Sequence, residues 1–238
     1  MYKMQKRVAY SEIGSDGLMT IPAILETLQD CATFHTQDVG MTLDWLMKNN
    51  LAWVTASWHL KIKRFPAFGE ELEIETRPYR LAHSIGKRAF EIRTYHGTQE
   101  SESLILADSQ WVFSDVVRGK SVNFPEDIAE RYGIDEPFEG SVSPRRRLRP
   151  VPDMKAHEAL VVGRGQLDTN NHVNNVQYVR MAMPYFPDNI HEFMIEYLRS
   201  AHLGDVIIPK TADADGRIIS LDAPDDSTYV IMEVKQQM

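Results

Sequence analysis

LDTNNHVNNVQYV, residues 167–179, is a polar turn that runs directly into an apolar stripe. Asp168, Asn170 and His172 fall within five residues, and a helix is expected over 174–183 with Val176, Val179 and Met183 on one face. Pro184 and Pro187 terminate it, and strands follow. SDGLMTIPAIL, residues 15–25, matches this stretch in position. It too is a polar turn, with Pro22 where a helix begins and with Ile24, Leu25, Leu28 and Ala32 spaced to bury one face of about four turns. Further along, HLKIKRFPAFGEELEI (59–74) parallels IEYLRSAHLGDVII (195–208), setting Gly69-Glu70 against Gly204-Asp205. The chain reads as a duplicated unit: one long helix, then antiparallel strands whose curved sheet buries the helix stripe on its concave face.

Working outward, Thr42 caps a short helix expected over 43–48, and alternation from Trp53 to Ile62 predicts a long strand. Further strands are expected over 71–79, 84–95 and 104–114, each bounded by Gly, Pro or a charged turn. Residues 137–150 hold Pro137, Gly140, Pro144, Pro150 and an arginine run, which marks a linker. The expected organisation is an α+β chain with an N-terminal unit over 1–136 and a C-terminal unit over 151–238.

Composition removes several classes of function. The 238 residues are 43% apolar and 25% charged, as in ordinary globular chains, and no apolar run approaches the roughly 18 residues of a membrane span. The opening MYKMQKRVAYSE lacks the greasy stretch of a secretory signal, so a cytoplasmic location is expected. Cys31, alone of its kind, cannot form an internal disulfide or a thiolate cluster, and its place on the first helix stripe reads as packing. A net charge of −8 opposes general nucleic-acid binding. SPRRRLRP runs against that charge: Arg145, Arg146, Arg147 and Arg149 read equally as a dock for an acidic partner or as a solvated connector. His157-Glu158 and His191-Glu192 lack the second histidine of a zinc helix, and GRGQLD lacks the glycine spacing of a dinucleotide loop, so no metal or cofactor is expected.

The chemistry concentrates at the polar turn before the second long helix. Asp168 and Asn170 are ordinary turn residues by spacing, but His172 at a helix start meets the positive end of the macrodipole, which favours a neutral, proton-accepting imidazole. Gly17, Leu18, Met19 and Thr20 stand at the corresponding place in the first unit, with Asp16 as the nearest titratable group. If one half performs hydrolysis, it should be the second, and the apolar start of the first would suit a greasy substrate tail.

These stretches resemble the acyl-acyl carrier protein thioesterases, a family with plant plastid and bacterial members. LETLQDCATFHTQDVG followed by LAWVTASWHLKIKRFPAFGEELEIET is similar to the family's first helix and its Trp-containing strand, and LDTNNHVNNVQYV is close to its signature. The resemblance implies a tandem, or double, hot-dog fold, hydrolysis of fatty acyl thioesters on acyl carrier protein, and Asp168, Asn170 and His172 as the catalytic set. It also implies an acyl-chain tunnel in the first half, near Leu28, Ala32, Trp53 and Ala56. Because acyl carrier protein is acidic, Lys61, Lys63, Arg64, Lys87 and Arg88 join the four arginines as expected docking groups. Ser200 stands where the family commonly carries an acid, and Glu196, four residues earlier or about 13 Å along an extended chain, is too far away to replace it. A coenzyme A thioesterase and a non-hydrolytic module binding acyl chains or their carrier remain open alternatives, as do monomer and homodimer.

Overall fold

The computed structural model describes residues 1–95, 97, 101–141 and 147–237. Its contacts form two compact units, Met1–Thr55 with Leu60–Ser143, and Ala56–His59 with Pro144–Met238.

The first unit opens with β1 (Tyr2–Arg7), a strand absent from the sequence expectation, antiparallel to β3. Its alternation is of charge as much as of hydrophobicity, and Lys3 reaches Glu73 at 3.2 Å and Glu75 at 3.1 Å. Helix α1 (Ile21–Asp38) begins as its residues dictate: the Thr20 hydroxyl accepts the Ala23 N–H and Pro22 occupies the first turn. It runs 18 residues, longer than expected, because Cys31, His35 and Thr36 prolong the buried face beyond Ala32. Ile24, Leu25 and Leu28 lie wholly in the core against β3 and β1, each worth roughly 1.5–3 kcal/mol of burial. After α2 (Leu43–Lys48), capped by Thr42 as expected, come β2 (Leu51–Ile62), β3 (Glu71–Ala82), β4 (Ile85–Thr94), β5 (Ser103–Asp115), the short β6 (Lys120–Ser121) and α3 (Glu126–Tyr132). The strands stand in the order β1-β3-β4-β5-β2, with β6 beside β5.

The second unit contains β7 (Lys155–Ala156), β8 (Leu160–Val161), α4 (Asn175–Ala182), β9 (Ile190–Tyr197), β10 (Val206–Ala214), β11 (Gly216–Asp222) and β12 (Thr228–Gln236). Its strand order is β9-β12-β11-β10-β7, with β8 paired to β10, and α4 packs on β11. Asn174 caps α4 by accepting the Val176 N–H at 2.9 Å. Val176 and Val179 are buried as the stripe predicts, but Met183 is exposed. Pro184 turns the chain into a 3-10 segment there, and Tyr178, Met181 and Ala182 fill the buried face instead. Leu148, within the expected linker, is buried with Ile218 and Ile231, while its neighbours Arg147, Arg149 and Pro150 are exposed.

A local pattern of backbone hydrogen bonds recurs in the two units. In the first, Gly14 N–H donates to Leu18 O at 2.8 Å, Thr20 N–H to Glu12 O at 2.9 Å and Met19 N–H to Pro66 O at 2.8 Å. In the second, Asp168 N–H donates to His172 O at 2.7 Å, Asn174 N–H to Gln166 O at 2.9 Å and Val173 N–H to Ala201 O at 2.9 Å. Gly17 and Asn171 both take positive φ at the turn, 77° and 59°. This pattern equates Leu18 with His172 and Thr20 with Asn174, two residues away from the register in which 15–25 was matched to 167–177. The two stretches share too few side chains to fix the register. Gly69-Glu70 and Gly204-Asp205 correspond as expected, since Glu70 O and Asp205 O accept the Val8 and Val162 N–H groups, each at 2.9 Å.

Candidate active site

Asp168 folds the loop before α4. Its Oδ1 accepts the backbone N–H of Asn170 at 2.8 Å and of His172 at 3.1 Å, so the carboxylate shapes the backbone around the imidazole. Leu167 and Val173 close the loop as an isolated bridge. These bonds engage Asn170 and His172 through their main chains, while the Asn170 side chain is exposed and the His172 ring half-buried. His172 lies two residues before the cap of α4, not in its first turn, and the amide of Val176, the second residue of the helix, is occupied by the Asn174 side chain.

The ring contact of His172 is with His202, a residue the sequence reading did not single out: centroids are 4.8 Å apart and the planes meet at 84°. His202 follows the wholly buried Ala201, whose N–H donates to the Tyr178 hydroxyl at 2.7 Å. Asp205 Oδ2 accepts the His202 backbone N–H at 2.9 Å and lies 3.8 Å from His202 Nδ1. Ser200 is exposed in the same segment, just beyond β9. Glu196 accepts the Leu148 N–H at 3.0 Å, and burial raises its pKa. The Gly204-Asp205 register sets His202 against Ala67, and the structure adds what the sequence lacks: in the first unit Ala67 forms a bridge with Leu18, the counterpart of His172.

The expected tunnel residues lie on different elements. Leu28 and Ala32 are buried on α1, Trp53 packs on Phe113 at 4.9 Å and Phe124 at 5.9 Å, and Ala56 belongs to the second unit. Cys31 is buried beside Leu28, and burial pushes its thiol up to about 12, which makes it a packing group and not a nucleophile.

Among the expected docking groups, Lys61, Lys63, Arg147 and Arg149 are exposed and Lys87 is half-buried, whereas Arg145 and Arg146 lie outside the described residues. Arg64 is held between Glu70 and Glu102, at 2.7 and 2.8 Å, so its charge is met within the chain. Arg88 must be withdrawn from the docking set. It is 6% exposed, stacks over Tyr132 and donates to His35 Nδ1 at 3.0 Å. Burial and the Arg88 guanidinium in turn push His35 down to about 3, so that ring stays neutral as an acceptor.

No helix among the described residues is long and apolar enough to cross a membrane. The structure of an acyl-ACP thioesterase from Bacteroides thetaiotaomicron superposes with a TM-score of 0.85 at 19% identity, covering 98% of this chain and 96% of that one. A 12:0-ACP thioesterase from Umbellularia californica gives 0.83 at 21% identity, covering 98% and 96%. Fold and antiparallel architecture thus define a protein of hot-dog type, α+β in class. The family model for the acyl-ACP thioesterase N-terminal domain matches residues 1–132, more than half the chain, and the chain belongs to the acyl-ACP thioesterase family. It is 29% identical over 227 residues to oleoyl-acyl carrier protein thioesterase 1, chloroplastic, of Arabidopsis thaliana, covering 87% of this chain and 62% of that one. The chain spans about half to three-fifths of the length of the curated relatives it matches.

Proposed function

We propose that this protein hydrolyses fatty acyl thioesters carried on acyl carrier protein in the cytoplasm, releasing free fatty acid, and that its two units are hot dogs in tandem. The observation that carries the reading is the loop at 167–173. Asp168 folds it through backbone amides, with the Asn170 side chain exposed and the His172 ring half-buried, which supports assigning both to the substrate. Family membership supplies the substrate class.

In this reading His172 takes a proton from water while the water oxygen bonds to the thioester carbonyl carbon. Asn170 donates to the carbonyl oxygen as negative charge collects there. Collapse of the tetrahedral intermediate breaks the carbon–sulfur bond, and the proton passes from His172 to the departing sulfur. Asp168 keeps the loop in register throughout. The acyl chain is assigned to the first unit, near Leu28, Ala32 and Trp53, and the acidic carrier to the exposed Lys61, Lys63, Arg147 and Arg149 with Lys87.

The test is release of fatty acid from acyl carrier protein charged with chains of several lengths, run beside the same chains on coenzyme A. Turnover on the carrier substrates is expected, falling about 10²-fold or more in His172→Ala. No release above buffer at any length refutes the activity, and preference for coenzyme A refutes the carrier assignment.

A further inference from the structure

In the first unit the paired positions across the loop are apolar, Leu18 and Ala67. Their counterparts in the second unit are both imidazoles, His172 and His202, and these stand edge to face at 4.8 Å. The segment carrying His202 is tied down on both sides of the ring. Ala201 receives the Val173 N–H on its carbonyl at 2.9 Å and gives its own N–H to Tyr178 at 2.7 Å. On the other side, Asp205 Oδ2 holds the His202 backbone N–H and also accepts the Tyr229 hydroxyl at 3.2 Å. The carboxylate is thus fixed by groups other than the ring it faces, and it presents its charge 3.8 Å from His202 Nδ1. The turn itself recurs in the first unit, where Glu70 Oε2 accepts the Ala67 N–H at 2.9 Å, so what distinguishes the second unit is the pair of imidazoles and the carboxylate facing one of them. The His202 side chain is 59% exposed and packs into no core, yet its backbone is fastened and a counter-ion stands beside it.

We propose that His202, with Asp205 behind it, is a positioning residue for the hydrolysis, acting through His172. The inference rests on the reading of His172 as the base. The edge-to-face contact sets the plane of the His172 ring toward the loop. When His172 takes the proton from the attacking water, the added positive charge is matched by the Asp205 carboxylate across the second ring. The proton itself remains on His172 until it passes to the sulfur, so His202 changes neither the stoichiometry nor the bonds made and broken.

The experiment measures kcat and KM for acyl carrier protein substrates with the full chain and its His202→Ala, His202→Phe and Asp205→Asn variants, beside His172→Ala. A positioning role predicts that kcat falls about tenfold in both His202 variants, with KM held within about twofold. It also predicts a smaller loss of kcat in Asp205→Asn, and partial recovery of His202→Ala by added imidazole, which the exposure of the site admits. Wild-type kcat in His202→Phe overturns the proposal, because a ring without nitrogen then suffices, and wild-type kcat in His202→Ala overturns it outright. A wild-type chain that releases no fatty acid removes the activity itself. Full turnover with indifferent His202 variants removes this inference alone.

Discussion

Replacing Tyr178 by phenylalanine deletes one oxygen and tests whether the loop is held as described. The hydroxyl accepts the Ala201 N–H at 2.7 Å, and both residues are buried. Without that oxygen the buried amide loses its acceptor, and an orphaned buried donor costs about 1–3 kcal/mol. The ring keeps its packing against Tyr197 and Tyr229, at 6.3 and 6.5 Å, so loss of hydrophobic contact adds little. With a urea m value of about 2 kcal/mol per M, the unfolding midpoint should fall by roughly 0.5–1.5 M at unchanged slope. Because Ala201 also receives Val173 and precedes His202, kcat should fall along with stability. A variant that matches wild type in both midpoint and kcat would show that this bond does not hold the loop, and the placement of His202 would lose its main anchor.

Other perturbations read other parts of the chain. Leu28→Ala, at a wholly buried position of α1, should cost about 2–5 kcal/mol in urea unfolding, and a loss under 1 kcal/mol would place that side chain outside a packed core. Burial pushes the Asp108 carboxyl up to about 7, against a Tyr79 hydrogen bond and the Lys87 charge, so from about pH 4 to 7 the folded chain keeps a proton that the unfolded chain has released. Stability should therefore fall as pH rises through that window, by on the order of 4 kcal/mol once complete, and Asp108→Asn should flatten the dependence of Tm on pH; equal slopes in the two proteins would refute the assignment. Asn171→Ala, at φ 59°, should cost about 1–2 kcal/mol while Asn171→Gly is nearly neutral, and equal stability of the two would deny the left-handed turn. If the exposed lysines and arginines bind the acidic carrier, its affinity should drop steeply between low and high salt, and a flat response in a binding titration would exclude them.

Helix α1 was legible because its signals are local: Thr20, Pro22 and the stripe from Ile24 to Ala32 lie within a few turns of one another. Strand β1 was not, since its hold on β3 comes from pairs such as Lys3 with Glu73 and Glu75, whose partners stand far along the chain. The same distance hid the fate of Arg88. The groups that meet its guanidinium, His35 from α1 and Tyr132 from α3, both stand far along the chain. At the candidate site, Asp168, Asn170 and His172 were visible as a compact motif. His202 was not, because its meaning lies in a neighbour on another segment and in a register that only the backbone pattern fixes.

The loop around His172 is built by amides, carbonyls and one carboxylate, and its counterpart in the first unit is built the same way around leucine and alanine. If the proposed chemistry holds, scaffold and reagent are therefore separable. Stripping the imidazoles at 172 and 202 should yield a disarmed but intact receptor, one able to seize its cargo and keep it uncut long enough to be photographed.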